Sequence, residues 1–411
     1  MYCKDNPDVK PKEINNAIMN LKGIANRQIG VIELDHMLDI DEVTEIFIRI
    51  NSKGTALSQS DFVMSKMAAD TIHGGNTLRK VVDYFCHLAV KPDFYSQMVK
   101  DDEFDNTEYA SKIKWLARDN EDIYDPDYND MLRVAFMYSF DRAKLADLVS
   151  LLSGRDFETR EFKEDIVEDS YNRLREGIKQ FINEHNFNQF VLAIKGAGYK
   201  SRKQLGSQMT LDFAYLLYLK LLNDSEIPHD QIKHHVQKWF VLSTLTGRYV
   251  GSPESVMSRD IRLMNEKGFI NFFNEVESSV LSDTFWTITL PQSLETTSTN
   301  SPAFNTFLAA QVNMNCNSLF MRGTMISDLI NISGDVHHIF PKAYLKRNGV
   351  EAKGRYNQVA NYTYLDTQVN KAVRDDAPNI YFGKVLEQCE NGNIAFGNIS
   401  VSLLKIYHSL L

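Results

Sequence analysis

The stretch "SGDVHHIFPKAYL", residues 333–345, sets His337 beside His338 between Val336 and Ile339, with Pro341 closing the apolar run. The pattern predicts a strand containing Val336 to Ile339. Adjacent strand side chains point to opposite faces of a sheet, so a single packing role cannot explain both imidazoles. A histidine pair by itself reads as one ring buried and one in solvent. His234-His235, beside Lys233 and Lys238 on a helical stretch, reads that way. His337-His338 has a different setting. Beyond Pro341 a loop leads to a second apolar stretch, "NYTYLD" (361–366), and then to helices through "QVNKAV" (368–373) and "NISVSLLKIYHSLL" (398–411).

The surroundings of the pair are basic. Residues 341–384 hold eight bases against four acids, whereas residues 91–130 hold twelve acids against five bases, all within a chain of net charge −9. That net charge argues against non-specific coating of nucleic acid, but a local basic patch is compatible with binding it. The 411 residues, 43% hydrophobic and 24% charged, can bury sizeable cores and divide into two or three domains. Cys3, Cys86, Cys316 and Cys389 form no CxxC pair, which points to a reducing, cytoplasmic compartment. The N-terminal residues lack a signal peptide's basic and apolar regions, and the best apolar run, "FAYLLYLKLL", is interrupted by Lys220. No membrane partner is expected.

Upstream, the fold class reads as α+β, mainly α-helical. Residues 1–73 look like a partial α/β remnant: a helical pattern over 11–28, a short strand candidate "IGVIEL" (29–34), and a helical pattern over 41–50. Ser58 followed by Asp61 predicts a capping box opening a helix that carries Phe62, Met64 and Met67. Residues 74–282 read as a helical middle domain, including a pattern over 130–154 that closes at Gly154 and a strongly amphipathic one over 160–185. "LPQSLETTSTNSPAFN" (290–305) reads as a linker, so that 283–411 comprises a linker and a C-terminal module.

The order strand, loop, strand, helix in that module, with "DVHHIFP" in front and "NQVANYTYLDTQVNKAV" behind, resembles the ββα-metal fold of HNH nucleases. The resemblance implies hydrolysis of DNA phosphodiester bonds. It implies His338 as general base, Asn361 as the catalytic-loop asparagine that fixes the direction of His338, and His337 with Asn370 as the ligands of one divalent ion. Mg²⁺ is the expected ion, with Mn²⁺, Ni²⁺ or Zn²⁺ as further candidates given the nitrogen ligand. Lys342, Lys346, Arg347, Lys371 and Arg374 are the candidate contacts to double-stranded DNA. Asp335 either orients a ligand or begins the strand. These residue types suit the chemistry, because a neutral imidazole can deprotonate water near pH 7 and a cation can stabilise the departing oxygen.

A second likeness covers much of the rest. "EIFIRINSKGTALSQSDFVMSKM" (45–67) and "KWFVLSTLTGRYVGSPESVMSRDI" (238–261) resemble the body of GmrSD-type modification-dependent (type IV) restriction and phage-defence nucleases. There a ParB-like nucleotide-hydrolysing domain precedes a helical region and an HNH domain. The nucleotide signature, an Asp-Gly-Gln-Gln-Arg turn, is absent here, the nearest string being "ANRQIG". The resemblance thus implies either a shortened chain or another polypeptide that supplies the nucleotide-binding half. Of that domain Arg49, Asn51 and Gly54 remain, with Asn51 either lining a former nucleotide cleft or ending a helix. A catalytically inactive DNA-binding or regulatory subunit of a defence system is the alternative reading.

Three further stretches carry open readings. "IKGAGYKSRKQ" (194–204) is not a phosphate-binding P-loop, and its Lys195, Lys200, Arg202 and Lys203 around Tyr199 either touch DNA backbone or form a solvated helix junction. "GRYVGSPESV" (247–256) starts a helix with Ser252 as N-cap and Pro253 at its first position, and either meets an anion with Arg248 or merely caps. The acidic run of residues 100–130 reads as a solvated face.

Overall fold

The computed structural model describes residues 11–26, 33–35, 46, 57–118, 122–295, 298–332, 334–392 and 396–399. Most of the strand expected over 29–34, most of the helix over 41–50, Arg49, Asn51, Gly54, Cys3 and nearly all of the C-terminal helix over 398–411 lie outside these residues. Two compact units are present, residues 1–57 and 58–411. In the first, Pro11–Ile24 is a helix (α1), as the apolar spacing predicts.

The second unit is mainly helical with one small two-stranded sheet. It opens at Ser58, whose hydroxyl accepts from the Asp61 amide while Asp61 accepts from the Ser58 amide, and this capping box starts the helix Gln59–Ala69 (α2). Gly75–Val90 (α3), Tyr128–Phe140 (α4), Leu145–Leu152 (α5), Glu164–Phe181 (α6), Glu184–Gly196 (α7), Gln208–Leu221 (α8), His229–Thr246 (α9), Pro253–Lys267 (α10) and Phe269–Val280 (α11) come next. Their apolar faces meet in one core, with Phe85, Tyr124, Phe181, Phe187 and Tyr215 in mutual ring contact at its centre. The pattern over 130–154 is two helices rather than one, because Asp141 turns left-handed at φ 56 and ends α4.

Several sequence expectations change here. Leu290–Leu294 is helical and Pro302–Asn313 is a helix (α12) capped by Ser301, so the expected linker is largely regular structure. The acidic run is not wholly solvated, since Asp130 is buried and bonded to Gln208. Tyr199, amid the bases of residues 194–204, is fully buried with its hydroxyl on Thr306. Ser252 sits at the N-cap of α10 with Pro253 next, but its side chain makes no capping bond. Arg248 is already engaged: its guanidinium forms two 2.7 Å bonds to the buried carboxylate of Asp260.

Ile326–Ile332 (α13) leads into Gly334–His338 (β1), and the chain continues through Lys342–Arg347 (α14) and Lys353–Tyr356 (α15) to Tyr362–Asp366 (β2), Thr367–Val373 (α16) and Pro378–Asn391 (α17). The strands pair antiparallel with Gly334 opposite Asp366 and His338 opposite Tyr362. Two strands alone are marginal in water, so each face needs cover. Val336, Tyr362 and Tyr364 pack with Phe304 and Leu308 of α12, while Leu365 packs with Val369 and Val373 of α16 and Tyr381 of α17. Gly334 is dictated by this fit, as a Cβ there would lie 2.6 Å from the Tyr364 ring. No described helix is long and apolar enough to cross a membrane.

Candidate active site at the end of the hairpin

The register explains the adjacent imidazoles. His337 lies opposite Thr363 and His338 opposite Tyr362, so the rings leave opposite faces of the hairpin. His337 faces α16 and α17. It is buried, at 4% exposure, with Nδ1 2.7 Å from Oδ1 of Asn370 and its ring edge-on to Tyr381. Its Nε2 is buried and has no hydrogen-bond partner among the described residues. Burial first, and the neighbouring His338 second, hold the His337 pKa below the ordinary imidazole value against the raising effect of the Asn370 bond. A neutral ring is the form that can donate a lone pair.

His338 faces the other way, half-buried, with Nε2 2.8 Å from Oδ1 of Asn357 and its ring edge-on to Tyr362. Asn361 braces the turn beyond it. Its Oδ1 accepts from the Phe340 amide at 2.7 Å, and its Nδ2 donates to the carbonyls of Phe340 at 3.1 Å and Tyr356 at 2.9 Å. The Asn361 carbonyl also accepts from the Ile339 amide. Tyr381 closes the same turn from below, its hydroxyl donating to the Ile339 carbonyl at 2.5 Å. Burial pushes the Tyr381 phenol up, so it stays a donor.

Asn370 is carried into place by α16, whose start is fixed by Asp366 accepting from the Gln368 and Val369 amides. Its Nδ2 lies 3.4 Å from a carboxylate oxygen of Asp335. Could His337 and Asn370 hold an ion? In the neutral ring Nδ1 donates to Oδ1 of Asn370 at 2.7 Å, because a carboxamide oxygen only accepts; an ion held by these two atoms would take the place of that hydrogen, with the ring proton carried on Nε2 instead. Among the described residues no cluster of three or more His, Cys, Asp or Glu could hold a metal by itself. The donors therefore fit an ion whose shell is completed from outside the chain, not a closed structural site.

The basic residues divide. Lys342 and Lys346 are exposed and both lie over the Tyr356 ring, at 5.6 and 5.8 Å. Lys371 is exposed on α16 next to Asn370. Arg374 is exposed just past α16, on strained backbone with φ 55 and ψ −132. Arg347 is instead engaged by Asp375, at 2.6 Å, which lessens its availability to a phosphate. The grooves of 660 Å³ beside Tyr138 and Phe269 and of 310 Å³ beside His234 and Trp286 include none of these residues. Asn357 was not singled out by sequence. Its only signal is a second asparagine four residues before Asn361.

Compared with known proteins, the chain matches no protein-family model, no curated protein and no solved structure.

Proposed function

We propose that this chain is a metal-dependent HNH-type endonuclease hydrolysing phosphodiester bonds of double-stranded DNA. The observation that carries the reading is the meeting of His337 and Asn370 across the hairpin and α16, with His338 next in the strand and its turn braced by Asn361. A divalent ion, Mg²⁺ or Mn²⁺, held by His337 and Asn370 would supply positive charge to the phosphate and to the departing 3′ oxygen. In this scheme the scissile phosphate would cross the end of β1, with His338 on one face of the hairpin and the ion site on the other. His338 takes the proton of a water attacking phosphorus, the bond to the 3′ oxygen breaks, and that oxygen leaves and gains a proton from solvent. Asn361 keeps the turn, and so the His338 ring, in one orientation. Lys342, Lys346, Lys371 and Arg374 bind neighbouring phosphates and position the duplex without reading its sequence.

A restriction role against modified or phage DNA, with a separate polypeptide supplying nucleotide binding, rests on the likeness of residues 45–67 and 238–261 to GmrSD-type proteins. One observation favours the alternative of an inactive DNA-binding or regulatory subunit: no cluster of three or more His, Cys, Asp or Glu lies among the described residues, and the Asp335 carboxylate beside the site is bonded to Asn370. Nicking of supercoiled plasmid in Mg²⁺ or Mn²⁺ separates the two. The expected result is cleavage by the native chain and loss of about 10²-fold or more in His338→Ala, with DNA binding within a few-fold. Equal nicking by both proteins would remove His338 as the base, and no nicking by either would favour the inactive subunit.

A further inference from the structure

Two neighbours fix the His338 ring. The edge-on contact with Tyr362, at 5.1 Å and 83°, sets the plane of the imidazole. The 2.8 Å approach of Nε2 to Oδ1 of Asn357 sets the rotation within that plane. Nδ1 makes no hydrogen bond among the described residues. A carboxamide oxygen can only accept, so Nε2 must carry the hydrogen of the neutral ring and Nδ1 the lone pair. Asn361 also links the two chain segments that carry His338 and Asn357. Asn361 bonds to the Tyr356 carbonyl, one residue before Asn357, and to both peptide groups of Phe340, two residues after His338. Asn357 itself ends α15, its amide donating to the Lys353 carbonyl at 3.0 Å.

We infer that Asn357 is a positioning residue that holds His338 as its Nε2–H tautomer, leaving Nδ1 as the nitrogen that accepts the proton of the attacking water. The inference rests on the nuclease reading for its catalytic meaning, but the tautomer is a property of the metal-free chain. Asn357 touches neither ion nor substrate in this scheme. It acts through the ring, as an outer partner of a catalytic imidazole does, and such partners are worth about 10- to 100-fold in activity.

The test uses the full chain labelled with ¹⁵N-histidine, metal-free, at about pH 8.5, where an ordinary imidazole is neutral. Comparison with His338→Gln picks out the His338 signals among the ten histidines. The expected spectrum has a pyrrole-like Nε2 and a pyridine-like Nδ1, retained in Asn357→Asp, which can still accept, and replaced by a mixture in the near-isosteric Asn357→Leu, which cannot. In the Mn²⁺ nicking assay Asn357→Leu should lower kcat about 10- to 100-fold with KM for plasmid within about 2-fold, and Asn357→Asp should recover part of that loss. A protonated Nδ1 in the native chain, or a tautomer balance indifferent to Asn357→Leu, would overturn the inference. Failure of every protein to nick DNA would count against the nuclease reading alone, because the spectra decide the tautomer independently. Far-UV circular dichroism of both variants shows whether either change has unfolded the chain, and Asn357→Asp carries the decision if the leucine variant has.

Discussion

Asn361 has three side-chain hydrogen bonds to three different peptide groups, and this makes a small residue the fastener of a long loop. Each bond contributes about 1 kcal/mol net at most, and at the exposed Phe340 peptide groups water can replace the lost partner. On the nuclease reading, Asn361→Ala is therefore expected to lower stability by roughly 1–2 kcal/mol in urea unfolding and to reduce nicking while metal affinity stays near the native value. A drop in metal affinity as large as that of Asn370→Ala would mean that Asn361 belongs to the ion site instead. Lys342 and Lys346 share one aromatic ring and have no acidic partner among the described residues, so they are free to meet phosphates. Replacing both with Ala should weaken binding evenly across DNA sequences and flatten the salt dependence by about two charges' worth. An unchanged slope would place the duplex elsewhere. At this scale the sequence was informative about types and silent about pairings. Asn361 and Asn370 were singled out through the likeness to the HNH pattern, whereas Asn357 and Tyr381 make contacts that only folding creates.

Elements are set by capping and by close approach. The Ser58–Asp61 box was legible because both partners lie within one helical turn. The break at Asp141 was not, because a non-glycine residue in left-handed backbone carries no local signal as strong as Gly154 does. Where helices touch, size decides. Gly177 of α6 lies against the Ala135 carbonyl of α4 so closely that a Cβ would overlap it, and a backbone carbonyl cannot swing aside. Alanine gains roughly 1 kcal/mol of helix propensity there, but overpacking of about 1–3 kcal/mol outweighs it, so Gly177→Ala should destabilise. Gly383 of α17 is the control: nothing lies within 4 Å of its added Cβ, and Gly383→Ala should stabilise by up to about 1 kcal/mol. Thermal or urea unfolding of the two variants in opposite directions is the expected outcome.

Over the whole second unit, the least expected feature is a carboxyl pair inside the helical core. Asp212 is fully buried, with Tyr124 donating to it at 3.0 Å, and Asp130 is 5% exposed. Burial pushes Asp130 up to about 6 from 3.8, and burial followed by Asp130 pushes Asp212 up as well. A carboxyl whose folded pKa exceeds its unfolded one contributes stability that is complete below pH 3.8 and is lost as pH rises through about 6. For Asp130 the full loss is at most about 3 kcal/mol. Asp130→Asn should therefore match the native chain near pH 4 and exceed it in stability at about pH 8. Asp101 and Glu108, held at about 2 chiefly by hydrogen bonds from Lys80 and Lys112, act in the opposite sense and only in more acidic solution. Equal stability of native and variant chains at both pH values would show the pair to be neutral in charge effect.

The sequence by itself determined the mainly helical character, the capping-box start of α2, and the strand, loop, strand, helix order around the two histidines, because each depends on neighbours a few residues apart. It also determined that the two rings must diverge, since alternation along a strand is a local rule. Tertiary structure alone decided that His337 meets Asn370, that His338 meets Asn357, that Arg248 serves Asp260, and that an acid from a charged run ends inside the core. Those choices turn on which surfaces meet across tens of residues, where burial and pairing energies outweigh anything a single segment prefers.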